Sequence, residues 1–368
     1  MIKKIMAFII CLSLFPVPCS AFTVSSNACI VICADTNQVL FGESIHEKLG
    51  MASTTKIMTA IIALEKGDPD DTVTVSQNAA NQEGSSVYLK AGEKVKLSDL
   101  LYALMLNSGN DAAVAIAEHI SKTEDKFVAE MNKKAKKLKL KNTHFENPCG
   151  LPDKEHYSTA YDMAVLMSYA IKNKEFMRIV GTKDHRFETD SSVTHLKNHN
   201  KLLWKYPFST GGKTGFTKSS GRCLVSSAAK NGINLVTVTL NAPDDWNDHM
   251  KLLDFGFKKV EMTVVCEKNQ ILKTHKIGDS KINILSKDSF SLPLENGRKY
   301  PVTCKIKLFD IGGMDIRFGT HIGYGEIFVD GFYTGSVRLI SGQDITKHPI
   351  NSYRNSLQII LKKLFLAK

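Results

Sequence analysis

The spacing of apolar residues changes character near residue 258, and that change limits the architectures open to the chain. Before it, helical spacing dominates between short β-type runs. Ala28 to Asp35 and Gln38 to Phe41 flank the polar pair Thr36-Asn37 and predict a hairpin. Residues 53 to 65 predict a helix, because Ile57, Met58, Ile61, Ile62 and Leu64 crowd one side and Gly67 follows the end. Leu97 to Leu106, Asp111 to Ile120, Lys122 to Leu138 and Thr159 to Lys172 predict further helices. Leu224 to Ala228 and Leu235 to Asn241 are β-type runs, and Trp246 to Phe257 predicts a last helix. This order implies α/β or α+β layers around one sheet. After about Val260, short β-rich pieces alternate with turns, among them Thr263 to Cys266, Val302 to Phe309 and Ser336 to Ile340. They predict a separate small β domain of the sandwich type.

The ends of the chain read differently. Lys3 and Lys4 precede an apolar run, Ile5 to Phe15, and the chain then reaches Pro16-Val17-Pro18-Cys19-Ser20-Ala21. A positive start, a short apolar run and small residues describe a secretory signal peptide. The run is too short to span a bilayer, which needs ~20 residues. Cleavage is expected after Ala21, and the chain is expected to work outside the cytoplasm. At the other end, Tyr353, Leu357, Ile360, Leu361 and Leu364 fall at helical spacing within Ser352 to Lys368, with Arg354, Lys362, Lys363 and Lys368 as charges. That predicts an amphipathic helix lying on an anionic membrane surface. The expected divisions are therefore a leader at 1–21, a first domain at 22–258, a β-rich domain at 259–350 and the helix at 351–368.

The net charge is +11 over 368 residues, compatible with an anionic polymer, an anionic lipid or a merely solvated basic surface. Export makes nucleic acid a poor partner. Six cysteines lie beyond the leader: Cys29, Cys33, Cys149, Cys223, Cys266 and Cys304. They are too sparse for a disulfide framework. On a strand, Cys29 and Cys33 would share a face ~13 Å apart, too far to bridge. Buried free thiols are expected, and no metal-ligand spacing accompanies them.

Three short patterns carry chemistry, in order: Ser53-Thr54-Thr55-Lys56, Ser108-Gly109-Asn110 and Lys213-Thr214-Gly215. Ser-x-x-Lys occurs twice in the chain and Ser-x-Asn three times, so neither is specific alone. Their order and setting make the signal. A serine three residues before a lysine on a helix shares its face. If burial or a second cation such as Lys213 keeps that lysine neutral, it can take the hydroxyl proton. Ser108 could relay a proton and Asn110 could bind a substrate amide. Gly211, Gly212 and Gly215 keep a strand edge uncluttered, so that an extended peptide could add alongside it.

These patterns resemble those of the penicillin-binding serine enzymes. The flanking text narrows the resemblance to the low-molecular-mass D-alanyl-D-alanine carboxypeptidases. Met51 to Thr59 is similar to their nucleophile segment, Leu106 to Ala113 to their middle segment and Thr210 to Gly215 to their third. His156-Tyr157-Ser158-Thr159-Ala160-Tyr161-Asp162 looks like their His-x-Ser-(Ser/Thr)-Ala-x-Asp stretch. The resemblance covers about residues 25 to 258 and continues more weakly beyond. It implies a β-lactamase/transpeptidase-like catalytic domain with a helical subdomain. Ser53 would be acylated, with Lys56 as general base and Ser108 and Asn110 lining the cleft. Lys213 and Thr214, beside Gly215, would hold the substrate's terminal carboxylate, and the backbone N–H groups of Ser53 and Phe216 would form the oxyanion hole. The implied substrate is a peptidoglycan stem pentapeptide that loses its terminal D-alanine. β-Lactams would acylate the same serine, and neither metal nor cofactor is implied. Cys149 departs from the pattern, standing where many relatives carry His.

Two other readings meet obstacles. A class A β-lactamase would need a Glu-x-x-x-Asn element, and no Glu here is followed four places later by Asn. A non-catalytic wall-binding module would have no use for Ser53, Lys56 and Lys213 together.

Overall fold

Alternation along one strand organises the first part of the chain. The computed structural model describes residues 23–277, 280–309 and 315–344, with the backbone of 359–364; the leader expected at 1–21 lies outside the described residues. In β1 (Ala28–Cys33), Ala28, Ile30 and Ile32 enter one apolar core while Cys29, Val31 and Cys33 enter another. Successive side chains on a strand point to opposite faces, so this strand is buried on both. β2 (Gln38–Glu43) returns along it through a turn in which Asn37 takes a left-handed φ of 55°.

The chain then leaves the sheet. A 3-10 turn at Ala52–Thr55 runs directly into α1 (Lys56–Lys66). There follow β3 (Thr72–Thr74), α2 (Gln77–Ala80), β4 (Lys94–Lys96), α3 (Leu97–Leu106), α4 (Asn110–Ser121), α5 (Glu124–Lys137), α6 (Ala160–Ala170) and α7 (Lys174–Gly181). A hairpin of β5 (Asp184–Glu188) and β6 (Val193–Lys197) and the short α8 (Leu202–Lys205) complete this lobe. The sequence predicts α3 with its exact bounds, and α4, α5 and α6 to within two residues. Their ends have local causes. Thr123 caps α5 and Thr159 caps α6 through their hydroxyls. α5 also carries Glu124 and Asp125 in its first turn and Lys134, Lys136 and Lys137 in its last, the arrangement the helix dipole favours. Lys134 Nζ, buried, reaches both carboxylate oxygens of Glu65 at 2.6 and 2.7 Å and the Tyr169 hydroxyl at 2.9 Å. That one cation ties α5 to α1 and α6.

Three long strands bring the chain home: β7 (Ser209–Thr217), β8 (Gly221–Lys230) and β9 (Ile233–Leu240), then α9 (Asp245–Lys259). β9 pairs with β1, giving an antiparallel five-stranded sheet of order β2-β1-β9-β8-β7. α9 covers one face, placing Leu252 and Leu253 with Val31, Leu224 and Leu235. The helical lobe covers the other, where Met163 and Met167 join Ile30, Val225 and Val238. β7 is left at the sheet's edge, as the glycine-rich segment around Lys213 suggests.

Among the described residues beyond α9 the regular elements are strands, as the sequence predicts for 259–350. β10 (Val260–Cys266) pairs with β13 (Phe290–Glu295). β11 (Ile271–Ile277), β12 (Ser280–Ser286), β14 (Val302–Leu308), β15 (His321–Val329), β16 (Phe332–Ser341) and β17 (Ile359–Leu364) form a second sheet of order β11-β12-β16-β15-β14-β17. The two sheets share a core in which Val265 and Leu292 meet Ile284, Val302, Ile327 and Leu339, the packing of a sandwich. Gln38 Nε2 donates to Glu295 Oε2 at 3.1 Å, and Lys259 pairs with the other oxygen at 3.3 Å, which joins this part to the first.

The helix expected over 352–368 needs correction. Ile359–Leu364 form β17, antiparallel to β14, with Leu361 opposite Cys304 and Ile359 opposite Ile306. Without it β14 would end the sheet and leave a row of unpaired N–H and C=O groups. A short apolar run such as Ile359-Ile360-Leu361 suits a strand as well as a helix, and periodicity alone does not separate the two. The rest of 352–368 lies outside the described residues. Among the described residues no helix is long and apolar enough to cross a membrane. The six cysteines are free and buried, as expected.

Candidate active site

The helix expected from residue 53 begins as a 3-10 turn, and that detail builds the site. In such a turn residues i and i+3 eclipse one another. Lys56 Nζ therefore lies 3.0 Å from Ser53 Oγ. The same nitrogen lies 2.7 Å from Asn110 Oδ1 and 2.6 Å from the Cys149 carbonyl oxygen. Lys56 is fully buried, and burial lowers its pKa to about 8. Two of its partners are carbonyl oxygens, which only accept. A neutral amine has two N–H bonds and one lone pair. With both N–H groups spent on carbonyls, the lone pair is left facing the Ser53 hydroxyl. The arrangement can draw a proton off that hydroxyl.

Asn110 opens α4, and its amide is oriented by donation from Nδ2 to the Glu83 carbonyl. Ser108 stands buried in the turn between α3 and α4, at a left-handed φ of 64°. Lys213 is buried in β7 and donates to the Thr214 carbonyl at 2.8 Å. Burial, and then the charge of Lys56, hold its pKa well below that of a free lysine. Gly215 lies against the 3-10 turn: a Cβ there would stand 3.0 Å from the Ser53 nitrogen and 3.1 Å from Ala52 Cβ. A side chain there would crowd the turn by a few tenths of an ångström. Phe216 follows with its ring exposed. Past the end of β7, Met51, Ala52, Gly150, Leu151, Ser219 and Ser220 line part of a pocket of about 440 Å³.

The structure thus puts Ser53, Lys56 and Asn110 within hydrogen-bond reach and sets Gly215 beside Ser53. It also shows contacts that sequence reasoning did not assign. Asp111, next to Asn110, accepts from the Ser86 hydroxyl at 2.6 Å and from the Val87 and Leu89 N–H groups at 3.0 and 3.1 Å. It fastens the loop on which Glu83 sits. Cys149 contributes its carbonyl oxygen to Lys56, a group any residue would offer; burial pushes its thiol pKa up to about 12, so the side chain stays neutral. Gly150 has a φ of 88°, and a Cβ there would lie 1.9 Å from the Ala52 carbonyl oxygen. The Asn-Pro-Cys-Gly run around it was the available signal.

Comparison with known proteins gives the family. The sequence family described as D-alanyl-D-alanine carboxypeptidase matches residues 17–244. The chain belongs to that family. The carboxypeptidase DacF of Bacillus subtilis is 35% identical over 335 residues, covering 88% of this chain and 86% of the relative. DacC of Escherichia coli is 32% identical over 295 residues, covering 75% of this chain and 73% of the relative. Among solved structures, penicillin-binding protein 5 of Haemophilus influenzae superposes with a TM-score of 0.68 at 27% identity, covering 88% of this chain and 98% of that one. The carboxypeptidase DacD of Francisella tularensis gives 0.63 at 25% identity, with 89% and 95% coverage.

In this carboxypeptidase Gly150 decides how the turn before Ser53 is held. Gly150→Ala should slow labelling by a fluorescent penicillin by about 10²-fold, the scale of an ångström's misplacement in an active site. Parental labelling rates by the folded variant would show that the turn yields to the added methyl.

Proposed function

We propose that Ser53 is the nucleophile of this serine-type D-alanyl-D-alanine carboxypeptidase and Lys56 its general base. The observation that carries the reading is the set of three partners around Lys56 Nζ, two of them acceptor-only, with Ser53 Oγ at the third. Ser53 Oγ attacks the carbonyl carbon of the penultimate D-alanine while its proton passes to Lys56. The oxyanion that forms is received by the backbone N–H groups of Ser53 and Phe216. The proton then reaches the departing amine, with Ser108 as relay, and the C–N bond breaks to release D-alanine. Water cleaves the ester that remains and returns Ser53 to its hydroxyl. Asn110 contacts the substrate amide, and Lys213 and Thr214 hold the terminal carboxylate, with Gly215 leaving room for the strand to approach.

The substrate class follows the same lines. A stem pentapeptide is extended at its C-terminal end, and β7 offers a sheet edge along which such a chain can lie. With the carboxylate at Lys213-Thr214 and the reacting carbonyl at Phe216, the remaining peptide points past Thr217 toward the 440 Å³ pocket. β-Lactams enter as covalent inhibitors of Ser53. Residues 22–258 form the catalytic domain and 259–350 the β-rich domain. The leader-like residues 1–21 support export to the periplasm or the outer face of the cytoplasmic membrane.

Three outcomes test this reading. Mass spectrometry after benzylpenicillin should place the adduct on the peptide containing Ser53, and Ser53→Ala should not label; an adduct elsewhere would overturn the assignment. Because Lys56 must be neutral to act as base, acylation should rise about tenfold per pH unit up to its pKa of about 8 and level off above it. Lys56→Arg, which does not deprotonate, should lose at least about 10²-fold across the range; a flat profile or near-normal acylation by that variant would remove Lys56 from the role. For the C-terminal tail, charge alone supports an anionic membrane surface as partner. Liposome flotation of the chain with and without residues 352–368 decides, and equal binding by both forms would exclude the tail as anchor.

A further inference from the structure

The backbone before Ser53 holds a conformation that its residue type disfavours. Ala52 has a φ of 47°, in the left-handed region that a Cβ disfavours. Such a residue persists where its surroundings over-determine it. Here two contacts converge on the Ala52 carbonyl, and a third backs one of them. Gly150 packs against it so closely that no Cβ would fit. The Thr55 hydroxyl donates to it at 2.8 Å. Thr55 Oγ1 in turn lies 2.8 Å from His156 Nε2.

The direction of every proton in this relay is settled by the chemistry of the groups. The Glu146 backbone N–H donates to His156 Nδ1 at 3.0 Å, so the imidazole proton sits on Nε2. The Thr55 hydroxyl has one proton and gives it to Ala52, so from His156 it accepts. The relay runs one way: Glu146 N–H to Nδ1, Nε2–H to Thr55 Oγ1, and Oγ1–H to the Ala52 carbonyl. Burial lowers the His156 pKa to about 4, which keeps the ring neutral.

The rest of the His156–Asp162 stretch mounts the ring beside the turn. Ser158 exchanges both backbone hydrogen bonds with Leu49, at 3.0 and 2.8 Å, so the two segments run side by side into Met51 and Ala52. Asp162 Oδ2 accepts from the Asn142 N–H at 2.7 Å and from the Thr143 hydroxyl at 2.8 Å, and Thr143 Oγ1 meets Ser158 Oγ at 2.8 Å. The polar side chains of Ser158, Thr159 and Asp162 are thus spent on holding the stretch.

We propose that His156 is a positioning residue for acylation: through Thr55 it holds the Ala52 carbonyl, and with it the left-handed turn that presents the Ser53 N–H and Oγ to the substrate. The inference rests on Ser53 as nucleophile. It is tested on the full exported chain with His156→Leu, His156→Gln, Thr55→Val and the double variant His156→Leu/Thr55→Val. Acylation by benzylpenicillin is followed by stopped flow and separated into a binding constant and an acylation rate, with melting curves to fix the folded fraction. Thr55→Val and His156→Leu should each lower the acylation rate of folded protein by about 10–10²-fold with the binding constant unchanged. His156→Gln, which keeps a donor within reach of Thr55, should recover most of the loss. The double variant should be no slower than the slower single one, because both act through one relay. Acylation within about twofold of the parent for folded His156→Leu, or losses that multiply in the double variant, would overturn the proposal. If His156→Leu does not fold, His156→Gln against Thr55→Val makes the same comparison: Gln near the parental rate with Val slow supports the relay, and equal rates for all three proteins refute it. An adduct off Ser53 in the parent would defeat the nucleophile assignment itself, whereas an adduct on Ser53 with unaffected His156 variants would defeat only this inference.

Discussion

A buried amine needs hydrogen-bond acceptors, and Lys56 finds them on segments far apart in the chain. Asn110 comes from the start of α4 and the Cys149 carbonyl from the loop before α6, each at hydrogen-bond distance from one nitrogen. An unmet donor in that position would cost about 1–3 kcal/mol or more. Three pieces of the helical lobe are therefore held in register by one side chain. The remaining direction around the nitrogen is the one that reaches Ser53, so the requirement that satisfies the buried amine also selects its reactive partner.

The sheet supplies the opposite wall. β7 lies close against the Ser53 turn at Gly215, which has no side chain to crowd it. β7 also stays at the edge, since β9 closes against β1 in the middle of the sheet and β2 takes the opposite edge. A core on each face makes this sheet rigid: β1 alternates between the two cores residue by residue, and β8 and β9 divide their apolar residues in the same way. The cleft thus lies between a stiff strand edge and a turn that carries its own strain at Ala52. Strain of this kind is stored where the surroundings fix it, and the surroundings here include Gly150 and Thr55.

What the sequence reveals follows from how local each signal is. α3 and the β1–β2 hairpin depend on spacing and turn residues within a dozen positions, and both are found where the spacing places them. Ser53, Lys56 and Asn110 are legible because each belongs to a short pattern whose chemistry is complete within four residues. The contacts of Asp111, Gly150 and His156 are not, even though His156 opens a stretch the resemblance marks, because they are made to partners 22 to 101 residues away. No spacing within one segment reports that Gly150 must clear the carbonyl of Ala52. The tail shows the converse failure: Ile360, Leu361 and Leu364 satisfy a helical pattern, yet the open edge of β14 is a non-local feature that pattern reading does not see.

Lys213 adds a last constraint on the order of events. It is buried, and both burial and the nearby charge of Lys56 disfavour its protonated form. Two buried lysine cations in one cleft repel, so the site without substrate resists carrying both charges. A substrate carboxylate changes that balance. An anion beside Lys213 favours its ammonium form, and a fixed cation there makes a second cation at Lys56 more costly. Under the roles proposed for these residues, arrival of the terminal carboxylate both anchors the peptide and drives Lys56 toward the neutral state in which it takes the Ser53 proton. An uncharged C-terminus would place the same carbonyl at the same serine but leave the two lysines competing for one proton. The preference for a free carboxylate is then built into the base itself and not only into the contacts that bind the substrate.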